Sequence, residues 1–357
     1  MLNRRRALTT PEELIGENLV SKGKAQSLAP VAARYAISIT PSLADLIDRA
    51  DPSDPIARQF VPSVEELETT REESLDPIGD DYHSPVRGIV HRHADRVLLK
   101  LTHICPVYCR FCFRREMVGR ANGSSLSRSE WDTALDYIEN HREIWEVILT
   151  GGDPLILSPR KLRETTKRLD EIEHVKIIRW HTRMPVAKPD AIDKDLIAAI
   201  KSANKTTFVV LHTNHPREIT NEVRSACARL NSVGIILLSQ SVLLKGVNND
   251  ADTLIALMRA LVESGVKPYY LHHADLAPGT SHFRTTIEEG QKLMRELHAR
   301  SSGLCLPSYV LDIPGGYAKA NLELCDSERS PSGNGENPPT YLIRDGNGEF
   351  HPYPASD

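Results

Sequence analysis

Cys105-Pro-Val-Tyr-Cys109-Arg-Phe-Cys112 follows closely on the apolar run Arg96-Val-Leu-Leu-Lys-Leu-Thr102, so a β-rich segment delivers three thiols, spaced C-x3-C-x2-C, on one short loop. Three thiolates can hold three irons of a [4Fe-4S] cluster and leave the fourth iron open to a further ligand. An open iron implies chemistry rather than electron storage. The alternative is a zinc knuckle, but structural zinc takes four protein ligands, often as paired C-x2-C units, and no second such pair occurs in the chain. The aromatic Phe111 before the last cysteine strengthens the iron-sulfur reading.

Outward from that loop a regular alternation begins. Apolar, β-rich runs at 96–102, 146–150, 175–181, 207–212, 235–240 and 268–274 are mostly followed by helical patterning, as at 129–138, 191–200 and 252–261. Six strand-helix units spaced by about 30 residues predict parallel strands joined by crossover helices. Their C-terminal ends carry, in order, the cysteine loop, Gly151-Gly152-Asp153, His181 and Arg183, His212 with Asn214 and His215, Gln240, and Asp275. A barrel gathers such ends at one mouth, whereas an open doubly wound sheet would use only those at its switch point. The expected fold class is therefore α/β, an incomplete (β/α)6-type barrel.

The 357 residues divide in expectation into an N-terminal helical extension (1–90), the partial barrel (91–285) and a C-terminal segment (286–357). Within the extension, Thr10-Pro11 and Thr40-Pro41 predict helix starts with a capping threonine and proline at the first helical position. Asp51-Pro-Ser-Asp-Pro and Asp76-Pro-Ile-Gly-Asp-Asp read as turns or linkers. A net charge of −4 and a pI of about 6.4 argue against a nucleic-acid surface or an anionic membrane partner. There is no charged-then-apolar leader and no apolar run near the roughly 18 residues that span a bilayer. Cys227, Cys305 and Cys325 are scattered and imply no disulfide framework. A cytoplasmic location is expected.

Asp312-Ile-Pro-Gly315-Gly316-Tyr-Ala-Lys319 is the second strong feature. Glycines that let the chain pass close to a cofactor, followed by a lysine, suit a Schiff base with pyridoxal phosphate (PLP), although a lysine after a turn is more often an ordinary surface group. Arg92 and Arg96 could clamp a phosphate or form a solvated charge cluster. His212 and His215 lack a third partner in metal-ligand spacing and read as loop histidines, and Gln240 alone says little.

Taken together, these motifs resemble the lysine 2,3-aminomutases, radical S-adenosylmethionine (SAM) enzymes that also use PLP. The match runs from Ser84-Pro-Val-Arg-Gly through Lys319. The resemblance implies that Cys105, Cys109 and Cys112 are cluster ligands, Lys319 the catalytic Schiff-base lysine, and Arg92 and Arg96 PLP-binding groups. It implies SAM contacts at Gly151, Gly152, Asp153, His212 and Gln240, substrate-carboxylate binding by Arg114, and capture of the ε-ammonium by Asp275 and Asp312. It further implies an isomerase that moves the amino group of L-lysine from C2 to C3, through a 5′-deoxyadenosyl radical and a PLP aldimine. An electron donor such as flavodoxin or ferredoxin would serve it. Two carboxylates facing an enclosed site also make sense physically, since they require a cation between them.

Two departures stand out. Tyr317 and Ala318 interrupt the family's glycine-rich approach to the lysine, and after Lys319 only Cys325 remains of the cysteines that bind zinc in longer members. Zinc is not expected, and a homo-oligomer stays open. The chain also resembles the related enzyme supporting β-lysylation of elongation factor P. A non-catalytic iron-sulfur protein on the same fold is the third reading, against which Lys319 and both aspartates argue.

Overall fold

The computed structural model describes residues 5–119, 125–313, 318–323, 328–329, 341–345 and 347–354. Its main sheet contains β1 (Ile89–His93), β2 (Arg96–Thr102), β3 (Glu146–Gly151), β4 (Ile177–Thr182), β5 (Thr206–His212), β6 (Ile236–Val242), β7 (Lys267–His272), β8 (Ser308–Asp312) and β9 (Lys319–Asn321). The strands lie side by side in chain order. β2 through β8 are parallel, while β1 and β9 run antiparallel at the two edges. A doubly wound sheet reverses its strand order at a switch point; here the order never reverses. With right-handed crossovers, constant progression puts every helix on the same face. The edge strands β1 and β9 do not pair with each other, so the barrel stays incomplete. A seventh parallel strand, β8, extends the six units expected from the sequence.

Side-chain parity then separates the two faces. Val97, Leu99 and Leu101 of β2, Val147 and Leu149 of β3, Ile178 and Trp180 of β4, Val209 and Leu211 of β5, and Tyr309 and Leu311 of β8 share one apolar core with helix residues such as Trp131, Leu162, Leu230, Met258 and Leu297. The opposite parity carries Lys100, Arg179, His181, His212, Gln240, Tyr270, His272 and Asp312. A polar lumen is thereby lined by the sheet's concave side and backed by an apolar shell.

Helix boundaries follow their caps. Ser127 and Glu130 form a capping box that starts Arg128–Asn140, and Asp250 caps Ala251–Glu263. The helix expected over 191–200 begins later, at Lys194, because Asp193 accepts from Leu196 N at 2.9 Å and a single 3-10 turn, Pro189–Ala191, precedes it. Thr10 caps Pro11–Gly16 as expected. Thr40 sits at the N-cap of Pro41–Ala44, but its hydroxyl donates to Ala187 O instead, tying the extension to the segment after β4.

That extension is wired into the barrel mouth. Glu66, in the 3-10 turn Val64–Leu67, is fully buried, and its carboxylate takes Arg110 Nε at 3.0 Å on both oxygens and also pairs with Arg115. Both arginines belong to the cysteine loop or its immediate continuation. At the far end, β10 (Glu328–Arg329), β11 (Tyr341–Arg344) and β12 (Phe350–Tyr353) form a small antiparallel sheet, whose Tyr341 and Tyr353 join the main core. Among the described residues no helix is long and apolar enough to cross a membrane.

Glu66→Ala would leave two buried guanidiniums without their counter-charge, a loss of about 3–5 kcal/mol. Urea unfolding should show it, with exposed Glu68→Ala near wild type. Equal midpoints for the two variants would contradict the clamp.

Candidate active site

The cysteine loop is held by backbone contacts on every side. Tyr108 N donates to Ser38 O at 3.1 Å, Arg110 N to Gln59 O at 2.8 Å, and Asp153 N to Ile104 O at 2.9 Å. Gly151 and Gly152 make the last of these contacts possible. Gly151 has φ of +110°, and a Cβ there would lie 2.6 Å from Thr102 O; a Cβ on Gly152 would lie 2.4 Å from Ile104 O. Only glycine lets the end of β3 run against the loop backbone. The three thiols are packed closely enough to influence one another. Burial raises each pKa, that of Cys112 to about 11, and Arg183 opposes the rise at Cys109 by donating Nη1 to Sγ at 3.2 Å. Among the described residues, no three His, Cys, Asp or Glu side chains gather around a single ion position. The donor set of three soft sulfurs on one shielded loop, one of them facing a guanidinium, fits an iron-sulfur cluster with an open iron.

Asp153 is committed to the chain itself. Its Oδ1 accepts from Thr182 Oγ1 at 2.7 Å and Leu155 N at 3.0 Å, and Oδ2 from Arg183 N at 2.8 Å, so it fastens the ends of β3 and β4 together. His212 ends β5 in register with Gln240 of β6. Its ring meets Phe111 of the cysteine loop edge-on at 5.7 Å, and burial, then Arg183, hold it neutral. His212 Nε2, Thr213 Oγ1 and His181 Nε2 are buried without a hydrogen-bond partner. Unpaired buried polar atoms are costly, and here they cluster at the ends of β4 and β5, a cradle suited to a polar ligand beside the cysteine loop. His215 instead accepts from Arg217 N at 3.3 Å as a cap of the turn Pro216–Glu218.

On the other side of the lumen, β8 and β9 form a hairpin that places Asp312 directly opposite Lys319. The lysine Nζ ion-pairs with Asp312 Oδ2, lies 5.8 Å from the Tyr270 ring centroid, and shares the carboxylate's surroundings with His272 Nδ1, 3.9 Å from Oδ2. Ala318 takes a left-handed φ of +63° to enter the strand; Gly315, Gly316 and Tyr317 lie outside the described residues, as does Cys325. Lys319 is thus the first residue of an edge strand rather than the end of a turn. Arg92 and Arg96 flank the β1–β2 hairpin. Arg92 donates to Ile78 O, and Arg96 Nη1 to the exposed Asp95 at 2.8 Å. Between them His93 is pushed down to about 4 by burial, then by Arg96, Arg92 and Lys319. Such a cationic corner beside a lysine fits PLP, whose phosphate needs the charge and whose aldehyde needs the amine.

The substrate-binding candidates converge on the same lumen. Burial, then Asp312, pushes Asp275 up to about 8, against the pull of Lys319 and Arg114. Burial also acts on Asp312, but Lys319 and His272 outweigh it and hold its carboxyl low. Arg114 Nη2 donates to Asp80 Oδ2 at 2.8 Å, both side chains buried, while Arg114 Nε has no partner. Asp80, read from the sequence only as part of a turn, is therefore a lumen residue, held ionised against burial by Arg114, Lys100 and Arg92. Lys100 had a signal of its own, a charge inside an apolar strand run.

A three-cysteine loop at the mouth of an incomplete parallel β/α barrel defines a radical SAM protein, and the family description Radical SAM superfamily matches residues 99–258. Such proteins carry a [4Fe-4S] cluster and bind SAM. The chain is 41% identical over 283 residues to the L-lysine 2,3-aminomutase of Acetoanaerobium sticklandii, covering 79% of this chain and 68% of that protein. It is 35% identical over 318 residues to the L-lysine 2,3-aminomutase of Escherichia coli (89% and 92%), and 35% identical over 303 residues to the glutamate 2,3-aminomutase of Clostridioides difficile (85% and 71%). The chain belongs to the lysine 2,3-aminomutase family, whose members add PLP to the cluster and SAM.

The raised pKa of Asp275 has a thermodynamic consequence. Its neutral form is favoured by folding, so the stabilisation is complete below the unfolded carboxyl value and is lost as pH rises through about 8. Without ligands, Asp275→Asn should gain stability relative to wild type as pH rises from about 4 to about 8 in urea unfolding, and level off above that. A pH-independent difference would contradict the assignment.

Proposed function

We propose that the protein is a radical SAM aminomutase acting on L-lysine, transferring the amino group from C2 to C3 to give β-lysine. The observation that carries this reading is the acidic pair beside the hairpin lysine. Asp312 has its cation in Lys319, whereas Asp275 is an acid whose anion is disfavoured where it stands. Once the Lys319 amine is committed to PLP, both carboxylates lose the lysine charge that acts on them. A substrate carrying a distal ammonium replaces it, and a distal carboxylate would be repelled.

When bound, the cluster and SAM together supply a carbon radical and PLP an electron sink. This chain's residues do the positioning. Cys105, Cys109 and Cys112 hold iron on the cysteine loop; Gly151, Gly152, His212 and Gln240 border the SAM side, with Asp153 fixing the glycine turn. Arg92 and Arg96 take the phosphate of PLP and Lys319 its aldehyde carbon. Arg114, whose Nε has no partner and whose charge acts on Asp275 across the lumen, takes the substrate carboxylate. The barrel at 91–285 houses these groups, the 1–90 extension covers the mouth, and the 286–357 segment brings in the lysine. A cytoplasmic setting with a flavodoxin- or ferredoxin-class donor completes the proposal.

Anaerobically reconstituted protein should consume L-lysine in a SAM-dependent way and leave L-glutamate untouched. Chiral analysis of the β-lysine separates free-lysine metabolism from supply to a translation-factor ligase. Asp275→Asn and Asp312→Asn should each reduce kcat/KM by about 2–5 kcal/mol in activation free energy, as for a buried charged contact, with cluster iron retained. Unchanged kinetics in both variants, or preference for glutamate, would refute the lysine reading.

A further inference from the structure

Arg183 lies just after β4, its guanidinium buried. Nη1 donates to Cys109 Sγ at 3.2 Å. Nη2 bonds Gln59 Oε1 at 2.9 Å and pairs with Glu218. The rings of Phe60 and Phe111 lie 4.7 and 5.7 Å from its Cζ. Neither partner of Nη2 is loose. Glu218, fully buried, accepts on Oε1 from Asn214 N and His215 N at 2.9 Å each and from Gln59 Nε2 at 3.1 Å, while Gln59 Oε1 also takes Asn214 Nδ2 at 3.1 Å. The guanidinium is therefore fixed from three directions: the N-terminal extension, the turn after β5, and its own backbone, whose N–H is bound to Asp153.

We propose that Arg183 is a positioning residue that sets the reduction potential of the iron-sulfur cluster through a charge-assisted hydrogen bond to the Cys109 sulfur, with Glu218 moderating its charge. The inference rests on the reading of Cys109 as a cluster ligand. Hydrogen bonds to ligand sulfurs and the net charge around a cluster govern its potential, and the groups that orient a ligand from outside tune the metal. A cation this close stabilises the added electron of the reduced cluster. Because Arg183 hydrogen-bonds the sulfur and acts on Cys109 more strongly than Glu218 does, its removal is not cancelled by removing Glu218 as well.

The test is an anaerobic redox titration of the reconstituted full-length protein without SAM, followed by electron paramagnetic resonance of the reduced cluster. The double variant Arg183→Met/Glu218→Gln, which strands no buried charge, should load iron as wild type does and titrate at a more negative midpoint. Glu218→Gln alone should shift the midpoint the other way. If the double variant fails to load, the single variant decides the matter. A wild-type midpoint in a loaded variant overturns the proposal, as does loss of the cluster from both variants with the fold intact, which would make the network structural only. Cys109→Ser tests the underlying reading separately: it should abolish the [4Fe-4S] signal, and retention of a full cluster would refute the ligand assignment whatever the Arg183 variants show.

Discussion

Charge balance inside a half-barrel is the constraint on which the site depends. The apolar shell of helices forces polar side chains of the strands inward, and a charge there survives only beside its opposite or a hydrogen-bonding partner. Glu146 answers Arg179 at 2.7 Å, Asp80 answers Arg114, and Asp312 answers Lys319. Asp275 is left with a protonated form as its best option, although the charges of Lys319 and Arg114 both favour its anion. The fold thus leaves one lumen carboxyl whose anion is disfavoured, and in the proposed function the substrate ammonium offsets that charge.

The same rule organises the cysteine loop. Arg110, Arg115 and Arg183 bring positive charge to a loop whose thiolates will be negative, and each is answered by a buried carboxylate from elsewhere in the chain, Glu66 or Glu218. These pairs hold the loop in place, and Arg183 also reaches Cys109 Sγ itself. They also explain why the N-terminal extension is integral to the mouth: Glu66 and Gln59 belong to it, and both reach residues of the loop or its neighbour Arg183.

Much of this was legible in the sequence because the chemistry-bearing groups sit at strand ends that announce themselves. The cysteine loop, the glycine turn, His212, Gln240, Asp275, Asp312 and Lys319 all follow or precede apolar runs, and the period of those runs gave the strands within a few residues. What stayed hidden was pairing at long range. Nothing near Asp80 in the chain indicates Arg114, nothing near Glu66 indicates Arg110 and Arg115, and Gln59 meets Arg183 across more than a hundred residues. β1 was obscured by its position behind an irregular stretch, and the β8–β9 hairpin by the glycines that separate Asp312 from Lys319. Thr40 shows the local limit: a capping signal can be diverted by a tertiary acceptor, here Ala187 O.

The central claim is that the acidic pair beside Lys319 selects a distal ammonium. It is tested most directly by an anaerobic crystal structure of the protein loaded with cluster, SAM analogue and PLP, with L-lysine bound. The account predicts the ε-nitrogen within hydrogen-bonding distance of both Asp275 and Asp312, with the substrate carboxylate on Arg114. An ε-ammonium directed elsewhere, with Asp275 still uncompensated, would contradict it.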